Sequence, residues 1–403
     1  MNILVVSSNY FPEPLGIGLY AHDLALTLKR EGHHVSVLTT VPYYPWWETP
    51  LEFESYGVEH SVLDGIEVFR TKLRIEKSNS PLTRMQFELR MWMGLRKVFK
   101  KIPIQKFDKI ISIIPSLGAG LVAAQVSRET GSPHFLIVQD ISTVGVSESG
   151  TPFGFLLKYI ILPFERSIVR SAYSIAVISK SMIKPLAKIA GKSIQIVHLP
   201  NYETSLDEDT SKLSRQNFDI PLKQFVVIHA GSIARKQNLE NLVSAARLLE
   251  GKNIGFYLYG YGNAQAEISN ASQDLSNFSI RPSVPRESFK SLLKCANLLI
   301  VNERPSQISM ALPSKLISYF SSNVPVIAAV PREGATFEEV KGLAVWVDAG
   351  QPDELAKMIT EIAESPIEAQ LLAKEARRYY EKKLTSHAGR RRYLDWIFEI
   401  MQT

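Results

Sequence analysis

One pattern constrains the fold of this 403-residue chain more than any other: an apolar strand, a glycine turn and an amphipathic helix, in that order. It is clearest in the second half, where residues 225–229 predict a buried strand and Gly231 and Ser232 a tight turn. Apolar side chains then recur at helical spacing, and Asn238 is the predicted N-cap. Strands that alternate with helices predict an α/β fold with parallel sheets.

Basic side chains lie beside this turn. Arg235 and Lys236 come just before the predicted helix. The free N–H groups and partial positive charge of a helix N-terminus favour an anion such as phosphate. An ordinary loop with solvated basic residues explains the same sequence equally well.

A second basic helix start follows further along. A strand ends at Val301, and the next helix begins near Pro313, Ser314 and Lys315. Two basic helix starts at the carboxyl ends of strands in one domain are what a diphosphate requires.

The N-terminus repeats the strand–glycine–helix pattern. A strand at residues 2–8 precedes Gly16 and Gly18, and the helix after them ends at Gly32. The loop has G-x-G but not G-x-G-x-x-G, so a plain tight turn is as compatible with it as a ligand site. Asp140 ends a later strand, where open α/β sheets bind ligands.

The chain length predicts two doubly wound domains. Their predicted bounds are residues 1–200, a polar linker at 201–223, a second domain at 224–385, and a C-terminal helix at 386–403 that packs back on the first domain. The linker contains the acidic string Asp207-Glu208-Asp209, which we expect to be a bystander and not a metal site.

Composition narrows the partners. The net charge of +6 and pI near 9.1 favour nucleotides, phosphates or an anionic membrane surface. No long stretch interleaves basic residues with stacking aromatics, so nucleic acid is not expected. The single cysteine, Cys295, and the lack of a signal-like start favour a cytoplasmic protein.

Residues 85–102 predict a helix with a broad apolar face, including Phe87, Met91 and Trp92, and flanking basic residues. This mixture is typical of a helix at the inner face of a membrane. A domain helix with snorkelling basic side chains is the alternative.

Several motifs together resemble the family-4 glycosyltransferases of the GT-B fold, in their exopolysaccharide, colanic-acid-type branch. They are EPLGIGLYAHDLALTL, EGHHVSVLT with PYYP, VQD, LPN, GSIARKQNLENL and LPSKLISYF. The resemblance covers most of the chain, and the last two motifs are the specific ones. It implies two Rossmann-like domains facing across a cleft.

The resemblance also implies retaining transfer of a sugar from a UDP- or GDP-sugar to a glycan or polyprenyl-diphosphate-sugar acceptor. Because two lysines can supply the charge of a metal ion and the acidic string lies in a linker, no metal or other cofactor is expected. It assigns Lys236, Lys315 and Asp140 to catalysis. Donor binding falls to the following residues: Gly16, Ile17, Gly18, Gly231, Ser232, Arg281, Pro282, Ser283, Glu303, Pro313, Ser314 and Leu316. Many relatives carry glutamates where this chain has Met310 and Ser318, and many have Arg or Asn in place of Ser232.

Two other functions stay open at this point. A sugar-nucleotide epimerase shares the two-domain architecture, although no cluster of His, Asp and Glu favours it here. A non-catalytic sugar-nucleotide-binding partner of a membrane assembly complex is the other alternative, because the usual glutamates are missing.

Overall fold

A computed structural model describes residues 1–13, 16–44, 47–53, 58–75, 80–103, 106–143, 154–191, 193–204, 213–306 and 313–399. The chain divides into two compact units. The first contains residues 1–200 and the segment that begins at Arg390, and the second contains residues 201–389.

In the described part of the first unit, eight strands form one sheet, in the order β3-β4-β2-β1-β5-β6-β7-β8. The strands are β1 (Asn2–Ser7), β2 (His34–Thr40), β3 (Val58–Leu63), β4 (Ile66–Thr71), β5 (Lys109–Ile114), β6 (His134–Val138), β7 (Ser174–Val177) and β8 (Gln195–His198). All neighbours are parallel except β3 and β4. The antiparallel β3 was not predicted from the sequence.

Helices cover this sheet. They are α1 (Ile17–Arg30), α2 (Pro81–Phe99), α3 (Leu117–Thr130), α4 (Gly154–Ser171) and α5 (Ile183–Ala190). The strands are almost fully buried runs of β-branched and leucine side chains, as expected when helices cover both faces of a parallel sheet.

The second unit is a six-stranded sheet in its described residues, in the order β11-β10-β9-β12-β13-β14, with every neighbouring pair parallel. The strands are β9 (Phe225–Ala230), β10 (Ile254–Tyr259), β11 (Phe278–Arg281), β12 (Leu298–Asn302), β13 (Val326–Ala329) and β14 (Val345–Val347). The predicted doubly wound α/β architecture is therefore confirmed in both units.

The second unit's helices form two apolar layers against its sheet. They are α6 (Glu240–Leu248), α7 (Gln265–Ser272), α8 (Arg286–Lys294), α9 (Lys315–Ser322), α10 (Ala335–Val340), α11 (Pro352–Glu364) and α12 (Ile367–Tyr379). Phe218 and Ile220, which the sequence placed in a linker, are buried in this core. The packed unit therefore begins before residue 224.

The last helix, α13 (Ser386–Ile397), carries the chain from the second unit into the first. Within the first unit, Arg390 forms an ion pair with Asp23, and the Trp396 indole N–H donates to Ser174 Oγ at 2.8 Å. Tyr393 is also buried, and its hydroxyl donates to the carbonyl of Leu199 at 3.2 Å.

Helix α2 differs from its sequence interpretation. Met91, Leu95 and Val98 are fully buried, and Phe87 and Trp92 are partly buried against the same core. Met91, Leu95 and Val98 are therefore not available to a membrane. In the described part of the chain, no helix combines the length and the apolar character needed to cross a bilayer.

Candidate functional site

The second sheet reverses its winding direction between β9 and β12. These strands are neighbours, with Leu298 paired to Val227, yet the chain runs from β9 to one edge of the sheet and from β12 to the other. In open α/β sheets, ligands bind outside the carboxyl ends of the strands at this switch point. A ligand site is therefore expected at the loops after β9 and β12.

The turn after β9 is closely packed against the loop after β10. Gly231 has φ of 141° and Gly260 has φ of 151°, values that side-chain-bearing residues rarely adopt. A Cβ on Gly260 would lie 1.9 Å from the Gly231 carbonyl oxygen, and one on Gly262 would lie 2.3 Å from that of Ile233. Both glycines are required because two backbones touch here.

Lys236 lies in a single 3-10 turn, Arg235–Gln237, which Asn238 ends with a left-handed φ of 47°. The prediction that Asn238 caps α6 was wrong, since α6 begins at Glu240 and Leu239 occupies its N-cap position. Arg235 pairs with Glu267, whereas the exposed Lys236 side chain has no partner among the described residues. Lys236 is thus the cation of this turn that is available to a ligand.

Asn302 holds this turn in place from the end of β12. The side chain is fully buried, and its amide N–H groups donate to the carbonyls of Gln237 and Asn238, both at 2.7 Å. Its own oxygen accepts from the Asn241 amide at 2.9 Å. A buried side-chain amide whose hydrogen bonds are satisfied in this way fixes the turn in one position relative to β12.

Lys315 begins α9 and points back toward the turn. Its ammonium donates to Gln237 Oε1 at 2.8 Å and lies 3.3 Å from His229 Nε2. A Cβ on Gly231 would lie 3.6 Å from Nζ, an ordinary contact distance, so the turn passes directly beside the ammonium. Lys236, Lys315 and the turn after β9 therefore converge at the switch point, as the sequence predicted for a diphosphate site.

Burial lowers the pKa of Lys315 to about 7, with the positive charge of Lys236 acting in the same direction and Glu303 against it. Burial and the Lys315 charge also hold the pKa of His229 well below its usual range, against the carbonyls of Ile300 and Ser232. His229 is therefore neutral near pH 7.

Glu303 follows β12 and is buried. Its Oε1 accepts from the Thr336 hydroxyl at 2.7 Å, and among the described residues its Oε2 has no partner. Burial raises the pKa of this carboxyl, although Thr336, Lys315 and Lys236 lower it. The charges of both lysines thus act on Glu303, and its assignment to donor binding stays a prediction.

At the start of α9 the residues differ in what they expose. Ser314 is exposed, and its hydroxyl makes no capping hydrogen bond. Leu316 is fully buried, and its N–H donates to the Pro313 carbonyl at 3.0 Å. The assignment of Leu316 to donor binding is therefore corrected, because neither its side chain nor its amide is free for a ligand.

Arg281 ends β11 and points into the protein. Its guanidinium donates to the carbonyls of Phe218 and Asp219 and lies over the Tyr257 ring, 4.8 Å from the ring centre. Pro282 and Ser283 follow it and are exposed. If this loop contacts the base of a bound nucleotide, the Arg281 side chain therefore does not make that contact.

In the first unit, the loop after β1 leads into α1. Gly16 has φ of 67° and sits at the N-cap, followed by Ile17 and the buried Gly18. Beside Gly18 lies the buried carboxyl of Glu13, whose Oε1 accepts from the N–H groups of Tyr43 and Tyr44 at 2.8 and 2.9 Å. Burial raises its pKa, although those N–H groups lower it.

Asp140 is exposed at the carboxyl end of β6, where its Oδ1 accepts from the N–H of Ile141 at 2.8 Å. Nearby, the buried Glu165 accepts hydrogen bonds from Thr143. Burial raises the pKa of Glu165, and the Asp140 charge acts in the same direction.

Some predicted positions lie outside the described residues, namely Met310 and Asp207, Glu208 and Asp209. The expectation that the acidic string binds no metal therefore stays a prediction. Ser318, at the other usual glutamate position, lies within α9 and is partly buried.

Several polar residues beside these loops were not predicted from the sequence: His229, Gln237 and Asn302 in the second unit and, separately, Glu13 in the first. One signal was available for two of them. His229 and Asn302 are polar residues near the carboxyl ends of otherwise apolar strands, the position at which Asp140 was noticed. Gln237 carried no such signal, because only its contact with Lys315 distinguishes it.

Comparison with known families assigns both halves of the chain. The glycosyl transferase 4-like domain matches residues 16–202, and the glycosyl transferases group 1 domain matches residues 210–379. The chain is also 26% identical to an Escherichia coli K12 protein with the provisional name colanic acid biosynthesis glycosyl transferase WcaI. That match covers 98% of this chain and 100% of the relative.

Solved structures share the fold at low sequence identity. Sucrose-phosphate synthase of Thermosynechococcus elongatus has a TM-score of 0.74 and 15% identity, over 99% of each chain. HepE of Anabaena, solved in complex with UDP, has a TM-score of 0.67 and 15% identity, over 99% of this chain and 100% of the other. WaaG, a glycosyltransferase involved in lipopolysaccharide biosynthesis, has a TM-score of 0.66 and 14% identity, over 98% and 99%. The two units therefore have the GT-B fold of these structures.

Proposed function

Because the chain belongs to the glycosyltransferases that join a 4-like domain to a group 1 domain, we propose that it moves a sugar from a UDP- or GDP-sugar to a glycan or polyprenyl-diphosphate-linked sugar. HepE, whose fold it shares, has been solved with UDP and with UDP-glucose. The name of its E. coli relative supports a role in the synthesis of a bacterial surface polysaccharide.

One observation carries this proposal: two lysines converge on the carboxyl ends of β9 and β12. Lys315 is held by Gln237 and His229, and Lys236 is exposed on the adjoining turn. Two cations beside an open helix start suit a diphosphate better than any neutral ligand.

The proposed chemistry uses these cations where charge develops. Transfer breaks the bond between the anomeric carbon and the diphosphate oxygen, whose electrons leave with the nucleotide, and the acceptor hydroxyl oxygen bonds to that carbon. Lys236, Lys315 and the Ser314 N–H would stabilise the growing negative charge on the phosphate. With retention of configuration, the leaving phosphate takes the hydroxyl proton, so the mechanism requires no protein base.

The first unit would hold the acceptor. Asp140 is exposed at a strand end, where a carboxylate can accept a hydrogen bond from a sugar hydroxyl. Residues 16–18 form the start of helix α1. We propose that their N–H groups also face a ligand.

We propose that the reaction is independent of metal ions, because the two lysines supply the positive charge that a divalent ion would supply elsewhere. Transfer should survive EDTA at unchanged rate. If EDTA abolishes transfer and magnesium or manganese restores it, metal independence is wrong, and the acidic string at residues 207–209 becomes a candidate ligand.

A peripheral position on the inner, cytoplasmic membrane face is also proposed, but through a different surface of α2 than the sequence suggested. Leu82, Met85, Leu89 and Met93 are 42 to 62% exposed and recur every three or four residues on one side of the helix. Lys97 and Lys100 continue this stripe and are exposed. Apolar side chains next to lysines on one helix face suit an anionic bilayer surface.

Vesicle flotation tests the membrane proposal. The protein should float with phosphatidylglycerol-containing vesicles, less so as salt rises, and Leu89→Glu should reduce the floating fraction severalfold. Leu371→Glu is the matched control, since Leu89 and Leu371 are exposed helical leucines at 53% and 56%. Equal recovery with neutral and anionic vesicles would count against this surface.

The decisive test of the proposed function has two steps. Thermal shifts with UDP, GDP, ADP and TDP identify the nucleotide, since a ligand at about 100 times its Kd adds about 2.7 kcal/mol of stability. The matching nucleotide-sugars are then incubated with and without polyprenyl-diphosphate sugars, and free nucleotide is measured. Release that requires the acceptor supports transfer, whereas binding without acceptor-dependent release would identify a non-catalytic binding protein.

A further inference from the structure

The Lys315 ammonium is held by acceptors that carry no charge. An ammonium has three N–H donors. One donates to Gln237 Oε1 at 2.8 Å, and a second faces His229 Nε2 at 3.3 Å. Among the described residues no carboxylate lies within ion-pairing distance of Nζ, so the third donor and the whole charge are uncompensated by direct contact.

His229 can accept only in one tautomer, and its environment favours that one. Its Nδ1 lies 3.3 Å from the Ile300 carbonyl, which can only accept, and we assign the ring hydrogen to Nδ1; the Ser232 carbonyl is a second acceptor for the ring. Nε2 is then left with a lone pair that faces Lys315.

Both acceptors are anchored to β12. His229 is bonded to Ile300 within that strand, and Gln237 is bonded through its carbonyl to the Asn302 amide at 2.7 Å. Since β12 also leads into the loop before α9, the strand fixes the acceptors and the lysine relative to each other. The ammonium is thereby oriented before any ligand arrives, which is the condition for efficient electrostatic stabilisation.

We propose that Gln237 and His229 are positioning residues that aim the Lys315 ammonium at the nucleotide diphosphate without neutralising it. This inference rests on the proposed function, because it gives the retained charge a phosphate to meet. A carboxylate in place of either residue would hold the lysine equally well, but it would satisfy the charge that the diphosphate needs.

Among the residues that the structure describes, three charged or titratable side chains act on Lys315. His229 reaches it from β9, Lys236 from the 3-10 turn and Glu303 from the end of β12. Burial is the largest cause of the lowered pKa of Lys315, with Lys236 lowering it further and Glu303 raising it, so a carboxylate in place of Gln237 adds a second effect that raises this pKa.

Two substitutions of Gln237 separate positioning from a merely structural role. Gln237→Glu should raise the pKa of Lys315, because a carboxylate favours the charged amine, and Gln237→Met should lower it, because an acceptor is lost. Both should weaken UDP binding, by about 100-fold and about 10-fold. A loss of folding would not move the pKa of one lysine in opposite directions.

Calorimetry of UDP binding at pH 7, in buffers of different ionisation enthalpy, measures the proton uptake. The wild type should take up about half a proton, Gln237→Glu almost none and Gln237→Met nearly one. His229→Leu should behave as Gln237→Met does. Gln265→Glu, an exposed glutamine on α7, is the charge-matched control and should leave both affinity and proton uptake unchanged.

The titration of Lys315 in the free protein, followed by NMR of carbon-13-labelled methylated lysines, separates this inference from the proposed function. Opposite pKa shifts in the two Gln237 variants, with weaker UDP binding in both, support the inference. Unchanged Lys315 titration overturns it even if transfer occurs. If the pKa shifts appear but the wild type binds no nucleoside diphosphate, the acceptors hold Lys315 for another reason and the inference falls with the proposed function.

Discussion

The two units use the same local design, but a lysine lies beside the glycine turn in one unit and a carboxyl group lies beside it in the other. In each, a strand leads through a glycine turn at the switch point of a parallel sheet. A Cβ on Gly231 would lie 3.6 Å from the Lys315 ammonium, whereas a Cβ on Gly18 would lie 3.3 Å from the Glu13 carboxyl oxygen Oε2. The fold therefore provides the place for a ligand in both units, and one side chain at each place decides which ligand chemistry is favoured there.

The difference also bears on which unit receives the phosphates. Anions are stabilised at helix starts by N–H groups and cations, and the second unit supplies both. The first unit supplies N–H groups at α1, but its nearest buried side chain is a carboxyl whose pKa is raised by burial. We therefore expect substitutions in the second unit to affect donor binding far more than substitutions in the first.

The largest effect is expected for Lys315→Met. It removes the oriented ammonium, so transfer should fall about 1,000-fold, the upper range for one electrostatic stabiliser. The acceptor-dependent release of nucleotide measures this change. Turnover within about fivefold of the wild type would remove Lys315 from the mechanism.

The same variant should be more stable than the wild type, by about 1–2 kcal/mol near pH 7. The folded pKa of Lys315, about 7, lies below its usual 10.5, so between these values the unfolded chain binds more protons. Wild-type stability should therefore rise with pH across this window, and the advantage of Lys315→Met should shrink. Melting at pH 7 and pH 9 checks the sign, and a constant difference would contradict it.

A smaller loss is expected for Lys236→Ala. Its side chain is exposed and lacks the fixed acceptors of Lys315, so we expect turnover at saturating donor to fall about 100-fold. Lys357→Ala, at an exposed lysine on α11, is the control. Turnover of Lys236→Ala within a few-fold of that control would show that Lys236 is not catalytic.

Ser314 separates backbone from side-chain recognition. Its φ of −56° suits proline, so Ser314→Pro should fold normally but lose the N–H at the start of α9, and UDP affinity should fall at least about 10-fold. Ser314→Ala should bind within about twofold of wild type, because the hydroxyl makes no capping bond. Equal losses in both variants would make the hydroxyl the ligand, and normal binding by the proline variant would make this helix start only structural.

The smallest effect is expected in the first unit. Glu13→Gln keeps an oxygen for the N–H groups of Tyr43 and Tyr44 and removes a buried ionisable group, so UDP affinity should change by less than about twofold. Since the folded pKa of Glu13 is raised, wild-type stability falls as pH rises through that pKa. The variant should therefore melt higher at pH 7.5 and equally at pH 4.5. A large loss of UDP binding would contradict the expectation that donor binding depends mainly on the second unit.

Periodicity in the sequence predicted the strands well because a buried parallel strand is a continuous apolar run. The strands predicted at residues 225–229 and 2–8 agree with β9 and β1 to within one residue, and the glycine turns lie where they were expected. The antiparallel β3, with the sequence VEHSVL, was missed because three consecutive polar residues interrupt its apolar pattern. For α2 the sequence left both a membrane-surface helix and a domain helix open, because composition cannot tell which side of a helix meets a sheet.

By itself, the sequence determined that this chain forms two α/β domains and carries basic residues at strand ends, since both follow from short-range spacing and charge. Only the tertiary structure decided what those residues do. His229 and Gln237 are far from Lys315 along the chain, yet both contact its ammonium, and Asn302 binds the 3-10 turn that contains Gln237. These contacts form because β9 and β12 are neighbours in the sheet. The pKa of Lys315 has the same origin, because burial is a property of the packed unit and not of any residue in isolation.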